Sequence, residues 1–129
     1  MTQASILLVE DEALIRMMLA EMVEELGHRV IAEAGCVDDA RSLAEIEGYD
    51  LAILDINLQG ANVRPVAEAV KRRGLPFFFL SGYVSNAAPD GFEGTPVILK
   101  PCTLDTLKHT IDAFLLNGES ETGSSRQAL

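Results

Sequence analysis

A regular alternation of short apolar runs with amphipathic stretches constrains this chain more than any other feature. The run SILLVE (Ser5–Glu10) is β-rich and closed by acids. From Glu12 to Leu26, apolar residues at Ile15, Leu19, Met22 and Leu26 are spaced like one face of a helix, and Gly27 supplies its stop. Arg29–Ala34 reads as a second strand, and Asp38–Ile46 as a second helix with Asp38 or Asp39 near its N-cap. LAIL (Leu51–Leu54) is apolar at every position, the pattern of a central strand in a parallel sheet covered on both faces. Val63–Arg73 fits a third helix that tolerates Pro65 in its first turn. PFFFL supplies a fourth strand and PVIL (Pro96–Leu99) a fifth. Leu104–Leu116 is a last helix with Leu104, Leu107, Ile111, Phe114 and Leu115 on its apolar face.

Right-handed crossovers must bury each helix against the sheet, so this order predicts an α/β fold with a five-stranded parallel sheet and helices on both faces. One slot is weak. Tyr83–Thr95 holds Pro89, Gly91 and Gly94 and few helix formers, so at most a short, irregular helix is expected there. Residues 1–117 are expected to form one domain, and residues 118–129, polar and rich in Gly and Ser, a disordered tail.

Composition narrows the function. With 129 residues, 48% of them hydrophobic, the chain can build one core without disulfides or structural metal. The 10 Lys+Arg stand against 20 Asp+Glu, a formal charge of −10, which argues against direct nucleic-acid binding. No apolar run approaches the roughly 20 residues of a membrane span, and MTQAS lacks the basic and apolar regions of a secretory leader. A cytoplasmic protein is therefore expected. Cys36 and Cys102 have no CxxC spacing and read as small half-buried thiols. His28 and His109 are isolated and read as packing or capping residues.

In open parallel sheets, ligands bind outside the carboxyl ends of the strands. The residues that follow the apolar runs are Glu10, Asp11 and Glu12 after the first, Asp55 after the third, Ser81 after the fourth, and Lys100 with Pro101 after the fifth. Crowded together, Glu10, Asp11 and Asp55 would repel one another unless a cation intervened. Mg²⁺ suits such an all-oxygen site, with a few carboxylates, waters and phosphate oxygens. Each residue has an ordinary reading on its own, such as a helix-start acid or a turn serine. The same coincidence at four strand ends favours a site.

LLVEDE, LAILDINLQG, FFFLSGY and VILKP, in that order, resemble the four signature segments of the response regulator receiver domain of two-component signalling. The resemblance covers about Ser5 to Leu116. It implies a flavodoxin-like (CheY-like), doubly wound sheet of order 2-1-3-4-5. By position, Asp55 matches the phospho-accepting aspartate. Glu10 and Asp11 match the acidic pair that holds Mg²⁺ (or Mn²⁺) with Asp55 and the backbone carbonyl of Asn57. Ser81 and Lys100 match the residues that bond phosphoryl oxygens, and Lys100–Pro101 resembles the family's cis peptide, which would aim the lysine into the site. The implied partners are a histidine kinase or histidine phosphotransferase and a downstream protein that the sequence does not name. The implied chemistry is that of a phospho-accepting signalling domain rather than an enzyme, with slow autophosphorylation and autodephosphorylation only.

Two departures stand out. The aromatic residue usual in the last strand is replaced by Val97, and Tyr83 is the candidate to take over its switching role with Ser81. PFFFLSGY is similar to the PFxFATGY segment of the FAT GUY subclass of single-domain receivers, with Leu80 and Ser81 in place of its Ala and Thr, and Ala61–Arg64 replace the common loop. The Gly/Pro-rich stretch Asn86–Thr95 implies a mobile, atypical output face. Leu14, Ile15 and Met18 exceed what one core stripe needs and form a candidate partner-docking patch. A stand-alone receiver is expected, with output through a partner or as a phosphate sink. The rival readings are a non-phosphorylated pseudo-receiver used for binding and a dehalogenase-type phosphatase. The latter needs an acid two residues after the nucleophile, where this chain has Asn57. A dinucleotide-binding enzyme is disfavoured because no GxGxxG follows a strand.

Overall fold

The computed structural model describes residues 3–82 and 88–122, with side chains as far as residue 116. Strands β1 (Ser5–Val9), β2 (Arg29–Ala34), β3 (Leu51–Asp55), β6 (Phe77–Ser81) and β7 (Val97–Leu99) form one parallel sheet in the order β2-β1-β3-β6-β7. Counting these five strands alone, this is the expected 2-1-3-4-5 order. Helices α1 (Ala13–Glu25), α2 (Val37–Ala44), α3 (Arg64–Arg72) and α4 (Leu104–Thr122) connect or follow them. No helix among the described residues is long and apolar enough to cross a membrane.

Strand alternation divides the core. Leu7, Val9, Ala52, Leu54, Phe77 and Phe79 point to one face, where they meet Ala40 and Ala44 of α2 and Val66, Ala67 and Val70 of α3. Ile6, Leu8, Leu51, Ile53, Phe78 and Leu80 point to the other, against Leu19 and Val23 of α1 and Leu107 and Ile111 of α4. β3 therefore needs apolar residues at every position before Asp55, and all five of its residues are buried. Phe78 stacks on Phe114 with ring centroids 5.9 Å apart.

Four local features differ from expectation. α2 begins with Cys36 in the N-cap position, its backbone extended and no side-chain cap bond made. Asp38 and Asp39 lie instead inside the first turn, where the helix dipole favours acids. α4 runs on to Thr122 rather than ending at Leu116, because Gly118 costs a helix only about 1 kcal/mol relative to alanine. Residues 88–96 carry turns in place of a short helix. Phe92 is buried there, edge-on to Phe77 and Phe79 at 5.7 and 6.0 Å, so this part of the segment is anchored to the sheet rather than loose. Finally, β4 (Asn57–Leu58) and β5 (Ala61–Asn62) form a small antiparallel hairpin directly after Asp55. Its two turn residues, Gln59 (φ 54°) and Gly60 (φ 85°), both take positive φ, as tight two-residue hairpins with a right-handed twist require.

Candidate functional site

The strand register builds the site. Val9 pairs with Leu54, so the next residues, Glu10 and Asp55, emerge side by side at the carboxyl edge. Asp55 pairs with Leu80 and Ser81 with Leu99, which brings Ser81 and Lys100 to the same edge on the other flank. The Lys100 N–H donates to the Ser81 carbonyl at 2.8 Å, extending that ladder by one bond.

Glu10, Asp55 and Ser81 are buried, while Asp11 and Lys100 are half-buried. The Lys100 ammonium donates to Glu10 Oε1 at 2.9 Å and to Asp55 Oδ2 at 3.0 Å. Three further carboxylate oxygens accept backbone N–H groups: Glu10 Oε2 from Glu12 at 3.1 Å, Asp55 Oδ1 from Asn57 at 3.3 Å, and Asp11 Oδ2 from Gln59 at 2.9 Å. One oxygen from each of Glu10, Asp11 and Asp55 lies within 4.8 Å of the others. Asp11, Asp55, Asn57, Gly60, Gly82 and Lys100 line an open cavity of about 350 Å³ above them.

Burial dominates the electrostatics. It pushes the Glu10 carboxyl up to about 7, opposed by the Lys100 ammonium and the Glu12 N–H and aided by the Asp55 charge. Burial also works to raise Asp11, but the Gln59 N–H and the bond shared with Glu10 outweigh it and hold Asp11 below its usual value. Burial alone would lower Lys100; its hydrogen bonds to Glu10 and Asp55 reverse this and raise it, so Lys100 is charged. Three clustered carboxyls against one ammonium leave an electron-rich, all-oxygen pocket. Its donor set fits a hard divalent cation with room for waters and phosphate oxygens. The DxD pattern of a dehalogenase-type phosphatase is not met, because the residue two beyond Asp55 is Asn57.

The structure brings Glu10, Asp11, Asp55, Asn57 and Lys100 together, and Ser81 is buried next in sequence to Gly82, which lines the cavity. The Lys100–Pro101 peptide is cis. Tyr83 lies outside the described residues. Val97 is half-buried against the Phe79 face of the sheet. On α1, Leu14 and Met18 are 65% and 53% exposed and Ile15 is half-buried, while Met17, not singled out in the sequence, is also 53% exposed. Ile15, Met18 and Met22 line an apolar groove of about 310 Å³ that ends on Pro101 and Cys102. His28 packs as expected: it is buried, and its Nδ1 accepts the Ala4 N–H at 3.0 Å. Two contacts to the acidic cluster are not foreseen from the sequence. The Gln59–Gly60 turn that holds Asp11 had a signal in its Gly, and Arg16, whose guanidinium donates to the Glu10 carbonyl, had none beyond its place one turn after Glu12.

Comparison with known proteins gives the family and the fold. The family described as response regulator receiver domain matches residues 6–112. The transcriptional regulatory protein PdtaR of Mycobacterium tuberculosis is 38% identical over 79 residues, which are 60% of this chain and 38% of that protein. The chain thus spans well under half the length of this curated relative. The solution structure of SdrG from Sphingomonas melonis Fr1 is 38% identical with a TM-score of 0.79, over 89% of this chain and 99% of that one. The receiver domain of the Erythrobacter litoralis response regulator PhyR is 28% identical with a TM-score of 0.77, over 88% of this chain and 91% of that one.

Proposed function

Because the chain belongs to the response regulator receiver domain family, we propose that it accepts a phosphoryl group on Asp55 in a Mg²⁺-dependent reaction and signals through phosphorylation-dependent protein binding or as a phosphate sink. Receiver domains are signalling domains rather than conventional enzymes. The observation that carries the reading is the Lys100 ammonium, held between Glu10 and Asp55 at 2.9 and 3.0 Å beside the Asp11 carboxylate.

A phosphorylated histidine of a kinase or phosphotransferase is the donor. An Asp55 carboxylate oxygen attacks the phosphorus as the P–N bond breaks, an acyl phosphate forms, and the departing imidazole takes a proton. Asp55 needs no base, since a carboxylate is already the nucleophile. Glu10, Asp11, Asp55 and the Asn57 carbonyl would hold Mg²⁺, which when bound supplies charge neutralisation at the phosphoryl oxygens. Lys100 can turn its donors from Asp55 to a phosphoryl oxygen without leaving Glu10. Ser81, at the end of the neighbouring strand, would bond another, and its displacement is the first candidate for the switch. The acyl phosphate adds roughly −1.5 to −2 charges by analogy with other phosphorylated side chains.

Membership of the FAT GUY subclass, a switching role for Tyr83, and docking of the donor on Leu14, Ile15 and Met18 are part of this proposal. Adding Mg²⁺ and beryllofluoride while recording backbone amide spectra tests the proposal. Shifts at Asp55, Ser81, Lys100 and Tyr83 are expected. A spectrum unmoved by both would leave a pseudo-receiver that only binds.

A further inference from the structure

We propose that Arg16 is a positioning residue of the acidic pocket, fixing the peptide that carries Glu10 and Asp11, and that Gly35 is the space it needs. This rests on the metal-binding reading of Glu10, Asp11 and Asp55 given above.

Backbone bonding leaves a gap at the end of β1. β1 ends at Val9, and the Glu10 N–H still reaches the Ala34 carbonyl of β2 at 3.0 Å. β2 ends at that same Ala34, so no strand residue follows to donate to the Glu10 carbonyl. Arg16 fills this gap: its Nη1 donates to the Glu10 oxygen at 2.5 Å, from one and a half turns along the helix-start segment. A charged donor on a carbonyl is stronger than a neutral one. The same guanidinium is held from its other side, with Nε 3.3 Å from Glu33 Oε1 on β2. The Arg16 side chain is 23% exposed and Glu33 45%, so the guanidinium end of the pair is the shielded one.

Gly35 is the second, independent observation. A Cβ built on it would lie 2.9 Å from Arg16 Nη1 and 3.7 Å from the Glu10 carbonyl oxygen. The backbone at Gly35 is not in the left-handed region, so conformation does not demand glycine there. What the missing side chain provides is room for the guanidinium. Arg16 thus clamps α1, the end of β1 and the edge strand β2 at one point, and that point is the peptide between two proposed metal ligands. Asp11 is then positioned from both directions, by this clamp behind it and by the Gln59 N–H in front. Residues that orient metal ligands typically weaken metal affinity about 10–100-fold when removed.

Mg²⁺ affinity, read from amide shifts of the wild-type protein and of Arg16→Met and Gly35→Ala, tests this. Arg16→Met keeps the aliphatic stem but no donors. Gly35→Ala keeps Arg16 but displaces its guanidinium. Both are expected to raise the Mg²⁺ midpoint about tenfold while amide dispersion and the melting transition show a folded domain. Arg16→Lys, which keeps one charged donor, is expected to recover part of the loss. An unchanged midpoint in either folded variant overturns the proposal, and if Arg16→Met does not fold, Gly35→Ala alone decides. Absence of any Mg²⁺ response in the wild type would instead overturn the functional reading on which it rests.

Discussion

The ammonium of Lys100 lies 3.0 Å from the Asp55 carboxylate, at the ends of two strands that are not neighbours in the sheet. β6 separates them, so this ion pair, with its second arm to Glu10, ties three strands together across the carboxyl edge. It also means that the proposed nucleophile has a counter-charge before any cation arrives.

Replacing Lys100 by methionine removes that counter-charge. Glu10 and Asp55 then remain buried with no cation, and the metal-free domain is expected to lose about 2 kcal/mol. That is less than for a fully buried pair, because the ammonium is part exposed and Glu10 can take up a proton. Urea unfolding with a chelator present measures the loss. Added Mg²⁺ is expected to restore more stability to the variant than to the wild type, since the cation takes over the missing charge.

Gly60 occupies a positive φ of 85° in the turn that presents the Gln59 N–H to Asp11. A Cβ there would meet no atom within 4 Å, so the cost of Gly60→Ala is conformational alone. We expect a loss of about 1 kcal/mol in thermal or urea unfolding. A larger loss would mean that the turn is packed more tightly than its surroundings show.

Phe92 should hold residues 88–96 in place. Phe92→Ala removes its contacts with Phe77 and Phe79 and also the ring under the Lys71 ammonium, 5.3 Å from its centroid. The expected cost is about 3 kcal/mol. Hydrogen exchange at the Thr95 N–H, which bonds the Phe92 carbonyl at 2.9 Å, should speed up well beyond that of β3.

The fold was legible because its signals are redundant. β3 and β6 are apolar up to their last residue, as strands covered on both faces must be, and those last residues are the candidate site's Asp55 and Ser81. The grouping of Glu10, Asp11, Asp55 and Lys100 followed from those strand ends. What the sequence did not show depends on single contacts made far along the chain. Nothing in the sequence around Phe92 points to the Phe77 and Phe79 rings that it packs beside. Arg16 gives no sign in sequence of its contact with Glu10, for which Gly35 leaves room 19 residues later. The β4–β5 hairpin was hidden because Gln59 is not a residue that usually marks a positive φ.

His28 makes stability depend on pH. Burial pushes its imidazole below its usual value near 6.5, and the Asp112 charge only partly opposes this. The unfolded chain therefore binds a proton at a higher pH than the folded one. Stability from this group is complete above about 6.5 and falls as the pH drops toward the lower folded value. In His28→Asn, whose Oδ1 can accept the Ala4 N–H without titrating, this part of the acid dependence should vanish. Parallel urea midpoints from pH 7.5 down to about 5, a range centred near the usual histidine value, compare the two proteins.

Phosphoryl transfer to Asp55 is the central claim, and intact-protein mass spectrometry after incubation with acetyl phosphate and Mg²⁺ tests it most directly. One added phosphoryl group is expected on the wild type, lost when a chelator replaces Mg²⁺ and absent from Asp55→Asn. A wild type that stays unlabelled with Mg²⁺ present, or an Asp55→Asn protein labelled to the same extent, would contradict it.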